Sequence, residues 1–382
     1  MVSGFKHLDP EWLLAPITQK NSYPDFLRVT LREYAMNGQL AHLASLVFDS
    51  TKQRIADFRY VFYGCKFSDI LLGLPREEVV VIGGPKEWLF CRKHGIAFFS
   101  FCGCYGSVTK AIHGIPDSLQ VNDRLLKDAF SGATEQFLVV GNDTLPPSRF
   151  LVGAFKAAVP VGKVICIQHG IFQIGRRGSS IEGQLADLNM VYSGKQGQVL
   201  INNGVAEESI RVLGFSSDYV QDSQRPEVPK ICLLGEGWHK YDRKLGDIYF
   251  GILKKLMLDF QKTGLKVVFR PHPSDNRRQC YSEFKYIDSQ PLQKSLKDFD
   301  IWIGLASTVL IEAVMAGKFS VQVRHGLFSM DNYKDEGYCE SLDACEATVA
   351  NILDLYTKGF EGQMVSPTEP SARRFLAAIS GY

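Results

Sequence analysis

The sequence predicts an α/β protein built from two parallel sheets, each wrapped by helices, and three observations predict it. Short, continuous apolar runs recur along the chain and end in glycine or a polar cluster, as in EVVVIGGP (78–85), EQFLVVGND (135–143) and KICLLGEG (230–237). Runs that are apolar at successive positions suit strands buried on both faces, which is the condition of a parallel sheet. Amphipathic helical stretches separate these runs, the pattern of βαβ units. The third observation is length: 382 residues exceed what one core ordinarily serves, and the rhythm breaks once, in the polar, proline-bearing GFSSDYVQDSQRPEVP at 214–229.

Taken in order, residues 1–70 read as mostly helical and irregular, with apolar residues at helical spacing in 23–50 and a break at Asn37-Gly38. A strand at 78–85, a short helix at 86–93 and a strand in GIAFFSFCG follow. Next come the strand at 135–143, a helix opened by Pro-Ser, and the strand KVICIQHG at 163–170. ADLNMVYSG and IRVLGF continue the pattern. The second block begins at 230 with KICLLGEG, then a long helix closed by Gly264, the strand of LKVVFRPHP, the strand of DIWIGLAS, a helix closed by Gly317 and the strand FSVQV. This divides the chain into an N-terminal Rossmann-like domain (1–213) with a helical extension, a C-terminal Rossmann-like domain (214–365), and a last helix (366–382) with the option of crossing back to the first domain.

Composition narrows the function class. The hydrophobic share of 45% and charged share of 22% are those of a soluble globular protein, and a net charge of +2 gives no nucleic-acid footprint, so an anion site must be local. Nine cysteines, an odd number, are scattered, some within strand runs such as Cys166 and Cys232. They read as reduced thiols of a cytoplasmic protein. Cys102 and Cys104 have no second ligand pair at zinc spacing. No signal-peptide pattern and no run near ~18 apolar residues is present, which leaves peripheral docking on a membrane face open.

In open parallel sheets, ligands sit beyond the carboxyl ends of the strands, and there the unusual polar residues fall. In VVFRPHP, two prolines hold His272 rigidly and Arg270 offers a planar fork for phosphate oxygens; the alternative is a strand-end turn with a solvated cation. In GLASTVLIEA, Ser307 or Thr308 caps a helix start that attracts anions, and Glu312, one turn in, is positioned for ribose hydroxyls. In GEGWHKYD, Gly235 lets backbone approach a ligand and Glu236 is placed with the donor site, the alternative being that Glu236 and His239 are surface residues. In VICIQHGIF, His169 is a candidate general base, with Gln168 and Gly170 beside it. In VVGNDTLPPSR, Asp143 is a second candidate base or nucleophile, or else a turn cap. Arg176, in the basic RRG, is a candidate contact for an anionic acceptor or a lipid headgroup. P-loop, dinucleotide-binding and nucleophile-elbow motifs are absent, and no metal or cofactor is expected.

The order of these motifs, Gln-His-Gly, then Arg-Pro-His-Pro, then DIWIGLASTVLIEA, resembles the GT-B nucleotide-sugar transferases of bacterial capsule and surface-polysaccharide synthesis. These include CDP-glycerol glycerophosphotransferases, bacterial sialyl- and polysialyltransferases, and Kdo transferases. The resemblance covers roughly residues 75–330. It implies a GT-B fold with two sheets facing across a cleft. It also implies donor-phosphate contacts at His272, Ser307 and Thr308, a base at His169, and a CMP- or CDP-linked donor serving a glycan or glycolipid acceptor, with a membrane or polysaccharide-assembly partner as an option. The acidic-acidic-Gly motif of the sialyltransferases is replaced by Asn142-Asp143-Thr144, which leaves the base open between His169 and Asp143. A UDP-sugar 2-epimerase of the same fold and a non-catalytic nucleotide-sugar-binding assembly protein are the alternatives.

Overall fold

A computed structural model describes residues 54–101, 117–143, 145–171, 183–219, 225–272, 284, 286–328, 331–359 and 368–381. The helical pattern expected over 23–50, the Cys102–Cys104 pair and Arg176 lie outside these residues.

The first half runs β1 (Tyr60–Tyr63), α1 (Ser68–Gly73), β2 (Val79–Gly83), α2 (Pro85–His94), β3 (Ala97–Ser100), α3 (Asp117–Phe130) and β4 (Phe137–Val140). It continues with α4 (Pro146–Ala158), β5 (Lys163–Ile167), β6 (Leu188–Val191), α5 (Gly194–Asn202) and β7 (Ile210–Val212). Its seven strands are ordered β3-β2-β1-β4-β5-β6-β7, and every pairing is parallel. The second half runs β8 (Ile231–Leu234), α6 (Trp238–Tyr241), α7 (Arg243–Lys262), β9 (Val267–Arg270), α8 (Leu292–Asp298) and β10 (Ile301–Gly304). It ends with α9 (Thr308–Met315), β11 (Phe319–Arg324), β12 (Glu340–Asp343) and α10 (Val349–Lys358). Its five strands, also parallel throughout, are ordered β12-β11-β10-β8-β9. The α/β class with two parallel sheets is thus observed.

The apolar runs became strands for the reason the sequence suggested: β2, β4, β6, β8 and β10 are buried at every residue, under helices on both faces. Gly264 and Gly317 follow α7 and α9 at φ 76° and 80°, the left-handed region that a Cβ disfavours.

Two strands went unread. β1 falls within the stretch read as helical and irregular, yet it is central to the first sheet. Its run YVFY is only four residues long, too short to stand out before pairing with β2 and β4 buries it. β12 is polar, ESLD, because an edge strand faces solvent on one side.

A last helix, α11 (Ser371–Ile379), packs on the first sheet. Phe375 is fully buried, with ring centroids 6.1 Å from Tyr60 and 6.2 Å from Phe62; burying such a ring stabilises by about 1.5–3 kcal/mol. α11 also straps the connection between halves. The Ser371 N–H donates to Asp218 at 2.8 Å, and the Arg374 guanidinium donates to the carbonyls of Leu213 and Phe215. The halves touch directly as well: Ser193 meets the Tyr338 hydroxyl at 3.3 Å, and Lys195 donates to the Asp335 carbonyl at 3.0 Å.

Candidate functional site

Three strand ends of the second sheet form one edge. Leu234 of β8 stands opposite Arg270 of β9, and Leu233 opposite Ile303 of β10, so Gly304 comes alongside Leu234. With strands spaced ~4.8 Å apart, the ends of β9 and β10 are about 10 Å apart across β8. Glu236, His272 and the start of α9 therefore gather at one rim.

Gly235 makes the gathering tight. Its N–H donates to the Arg270 carbonyl at 2.7 Å, and a Cβ there would lie 2.7 Å from the Phe269 ring, 3.1 Å from the Arg270 oxygen and 3.1 Å from the His272 nitrogen. The residue expected to admit a ligand instead admits the neighbouring strand's backbone. Gly235→Ala is expected to cost about 1–3 kcal/mol through overpacking, read as a lower melting temperature. An unchanged melting temperature would contradict this packing.

Arg270 has a structural role beside its expected one. One of its terminal nitrogens donates to Asp288 at 2.6 Å, to the Ser295 hydroxyl at 2.9 Å and to the Gln290 carbonyl at 2.9 Å. Residues 286–288 run beside β9, joined by Phe269 N–H to the Tyr286 carbonyl and Asp288 N–H to the Phe269 carbonyl, and this sets Asp288 against the guanidinium. That nitrogen, clamped by a buried carboxylate, holds the loop in place, and the rest of the fork stays a candidate for phosphate.

Ser307 is the N-cap of α9, its hydroxyl accepting from Val309 N–H at 3.3 Å, and Thr308 is the first helical residue. Both are half-buried, as is His272. Glu236 departs from the expected donor contact: one carboxylate oxygen accepts from the N–H of Leu305 at 2.8 Å and of Ala306 at 2.6 Å, and the other accepts from the Trp238 indole at 2.9 Å. Burial pushes its pKa up, while these donors and the Ser307 N–H pull the other way.

Glu312 sits one turn into α9 and accepts from the Tyr219 hydroxyl at 2.5 Å. Burial raises its pKa; the Tyr219 bond and the charges of Lys66 and Arg270 oppose the rise. Lys66, Tyr219, Asp288 and Ser295 were all missed by the sequence reading. Lys66 follows β1 at the point where the first sheet's strand order reverses between β1 and β4, the usual ligand crevice of such sheets. That position is visible only once β1 is known to be a strand. Lys66 belongs to the first half, and its positive charge is felt at Glu312 of the second.

In the first half, His169 follows β5 and donates from Nδ1 to the Gly141 carbonyl at the end of β4. A carbonyl only accepts, so Nδ1 carries a proton, and in the neutral ring the lone pair is on Nε2, the tautomer a general base requires. Gln168, expected at the acceptor, is engaged internally: its amide nitrogen donates to the Gly170 carbonyl (2.7 Å) and to Gln196 (2.6 Å), and its oxygen accepts from Tyr192 N–H (2.8 Å). It sets the turn that carries His169. Around Gly170 a Cβ would meet nothing within 4 Å.

Asp143 departs most from expectation. It is fully buried, and its two oxygens accept from Gly183 N–H at 2.7 Å and Leu185 N–H at 2.8 Å. The carboxylate ties the end of β4 to the turn entering β6; burial raises its pKa against the pull of those N–H groups. Of the two candidate bases, only His169 has the geometry of one.

Facing carboxyl edges of two parallel-stranded halves, with α11 returning to the first, are the GT-B architecture. Solved structures agree at the level of fold. A Listeria monocytogenes protein assigned as a UDP-N-acetylglucosamine 2-epimerase matches with a TM-score of 0.60 at 12% identity, over 85% of this chain and 96% of that one. The UDP-GlcNAc 2-epimerase of Neisseria meningitidis, solved with UDP-GlcNAc, gives 0.56 at 11%, over 85% and 100%. Anabaena HepE, solved with UDP and glucose, gives 0.50 at 11%, over 85% and 94%. No protein-family model matches the chain, and no curated protein matches it in sequence. Among the described residues no helix is long and apolar enough to cross a membrane.

Proposed function

We propose that the protein is a nucleotide-sugar-dependent transferase that moves a sugar or polyol phosphate to a glycan or glycolipid hydroxyl. The observation that carries this reading is the common rim of β8, β9 and β10. It brings His272 and the Ser307-capped start of α9 together, with Glu312 one turn further in. In the proposed reaction the donor lies on the second half. Charge that builds on its leaving phosphate is stabilised by the His272 ring, the hydroxyls of Ser307 and Thr308, and the α9 dipole. Lys66 contributes positive charge from across the cleft. An acceptor hydroxyl enters from the first half and His169 Nε2 takes its proton. Closure of the halves limits hydrolysis of the donor. The proposed transfer is metal-independent: the Asp-x-Asp of the sequence, Asp298-Phe299-Asp300, stands before β10 at its amino end and not at the rim, and the resemblance of the motifs favours a cytidine nucleotide.

The nucleotide is identified by a thermal-shift screen with CMP, CDP, UDP and GDP, since a ligand of the folded state raises its melting temperature. Against the ligand so found, His272→Ala is expected to weaken binding at least tenfold, about 1.4 kcal/mol, by titration calorimetry. An unchanged affinity would remove His272 from the site. The fold-level likeness to UDP-GlcNAc 2-epimerases supports a second reading as an epimerase. The two separate on turnover: a transferase releases nucleotide in proportion to acceptor, whereas an epimerase interconverts the donor with no acceptor present.

A further inference from the structure

The turn between β10 and α9 points three successive backbone N–H groups, those of Leu305, Ala306 and Ser307, toward Glu236. Consecutive N–H groups at a helix start are the usual receivers of a ligand's phosphoryl oxygens. Here the chain supplies its own anion. The Glu236 carboxylate is fixed from the far side by the Trp238 indole, which is itself buried and set edge-on against Phe328 at 4.8 Å between ring centroids. Gly304 stands directly before the turn; a Cβ on it would press on Leu234 at 3.1 Å and touch the Glu236 oxygen at an ordinary 3.6 Å. At Arg270 of the same rim, one terminal nitrogen is held by Asp288, Ser295 and the Gln290 carbonyl.

We propose that Glu236 is a specificity residue that restricts the donor site to nucleotides with a single phosphate, so that the donor is linked through a nucleoside monophosphate and not a diphosphate. The proposal rests on the nucleotide-donor reading above. One phosphate can be served by the Ser307 and Thr308 hydroxyls and the His272 side of the rim. Among the described residues, the run of backbone N–H groups suited to a second phosphoryl group is the one Glu236 occupies, and that group would meet a carboxylate of like charge there. Displacing the carboxylate would also strip the Trp238 indole of its acceptor in a buried place.

The test is titration calorimetry of the full chain with CMP, CDP, UMP, UDP, GMP and GDP. For the base that binds, the monophosphate is expected to bind at least tenfold more tightly than the diphosphate. Glu236→Gln removes the charge and keeps an oxygen for the N–H groups, while its NH2 faces the Trp238 indole N–H. Glu236→Gly vacates the turn. Both are expected to tighten the diphosphate, the glycine variant at least tenfold, while the monophosphate changes less than threefold; far-UV circular dichroism and melting confirm the fold of each. The wild-type ratio needs no variant, so a misfolded variant does not rescue the idea. A diphosphate that binds wild type as tightly as the monophosphate overturns this inference and leaves the nucleotide reading standing. A ratio unmoved in a folded Glu236→Gln or Glu236→Gly variant overturns it also. Binding of none of the six overturns both.

Discussion

Asp143→Ala is expected to destabilise the first half by about 3 kcal/mol, because it leaves the Gly183 and Leu185 N–H groups without acceptors in a buried place. For a unit of this size the melting temperature should fall on the order of 6–10 °C. Asp143→Asn is no rescue: an amide has one accepting oxygen, and its NH2 would face one of the two N–H donors. The measurement is thermal unfolding followed by circular dichroism, compared with steady-state turnover well below the transition. A variant that melts like wild type yet has lost turnover would restore Asp143 as the base and remove the structural role assigned here.

His169→Ala should do the reverse. Turnover is expected to fall at least ~100-fold, the range for removal of a positioned base, with a smaller change in melting temperature than at Asp143, because the ring is half-buried and not fully buried. His169→Asn is the sharper variant. Its amide N–H can replace the Nδ1–H donation to Gly141 and hold the turn, but it offers no basic nitrogen. Both variants should bind nucleotide like wild type, since the ring lies on the first half and the proposed donor site on the second, and both should lose kcat in assays of acceptor-dependent nucleotide release. Retention of more than a tenth of wild-type kcat by the asparagine variant would place the base elsewhere.

Comparison of these two residues shows what could be read in advance. Asn-Asp before Pro-Pro and Gln-His-Gly at a strand end look equally chemical as text. Both lie beyond strands of one parallel sheet, as expected from the apolar runs that precede them. Their fates differ because of partners from elsewhere. Gly183 and Leu185 close around Asp143, whereas Gly141 turns the His169 ring so that its lone pair is on Nε2. The same holds at the other rim. Arg-Pro-His-Pro was legible as a rigid turn carrying cations, but that Arg270 is clamped by Asp288 depends on the 286–288 segment pairing beside β9. Lys66 was illegible because β1, the strand that places it, is four residues long and stands out only when paired.

By itself the amino-acid order determined the α/β class, two parallel sheets, and the positions of the polar strand ends. The physical reason is locality: apolar runs, caps and closing glycines act over a few residues and survive in any packing. Tertiary structure alone decided which of those polar groups face a ligand and which are already engaged. The deciding bonds join residues 40, 70 and 93 positions apart, Asp143 to Gly183, Glu236 to Ala306 and Tyr219 to Glu312. Such bonds form only when strand order and register bring distant segments together, and no local pattern encodes them.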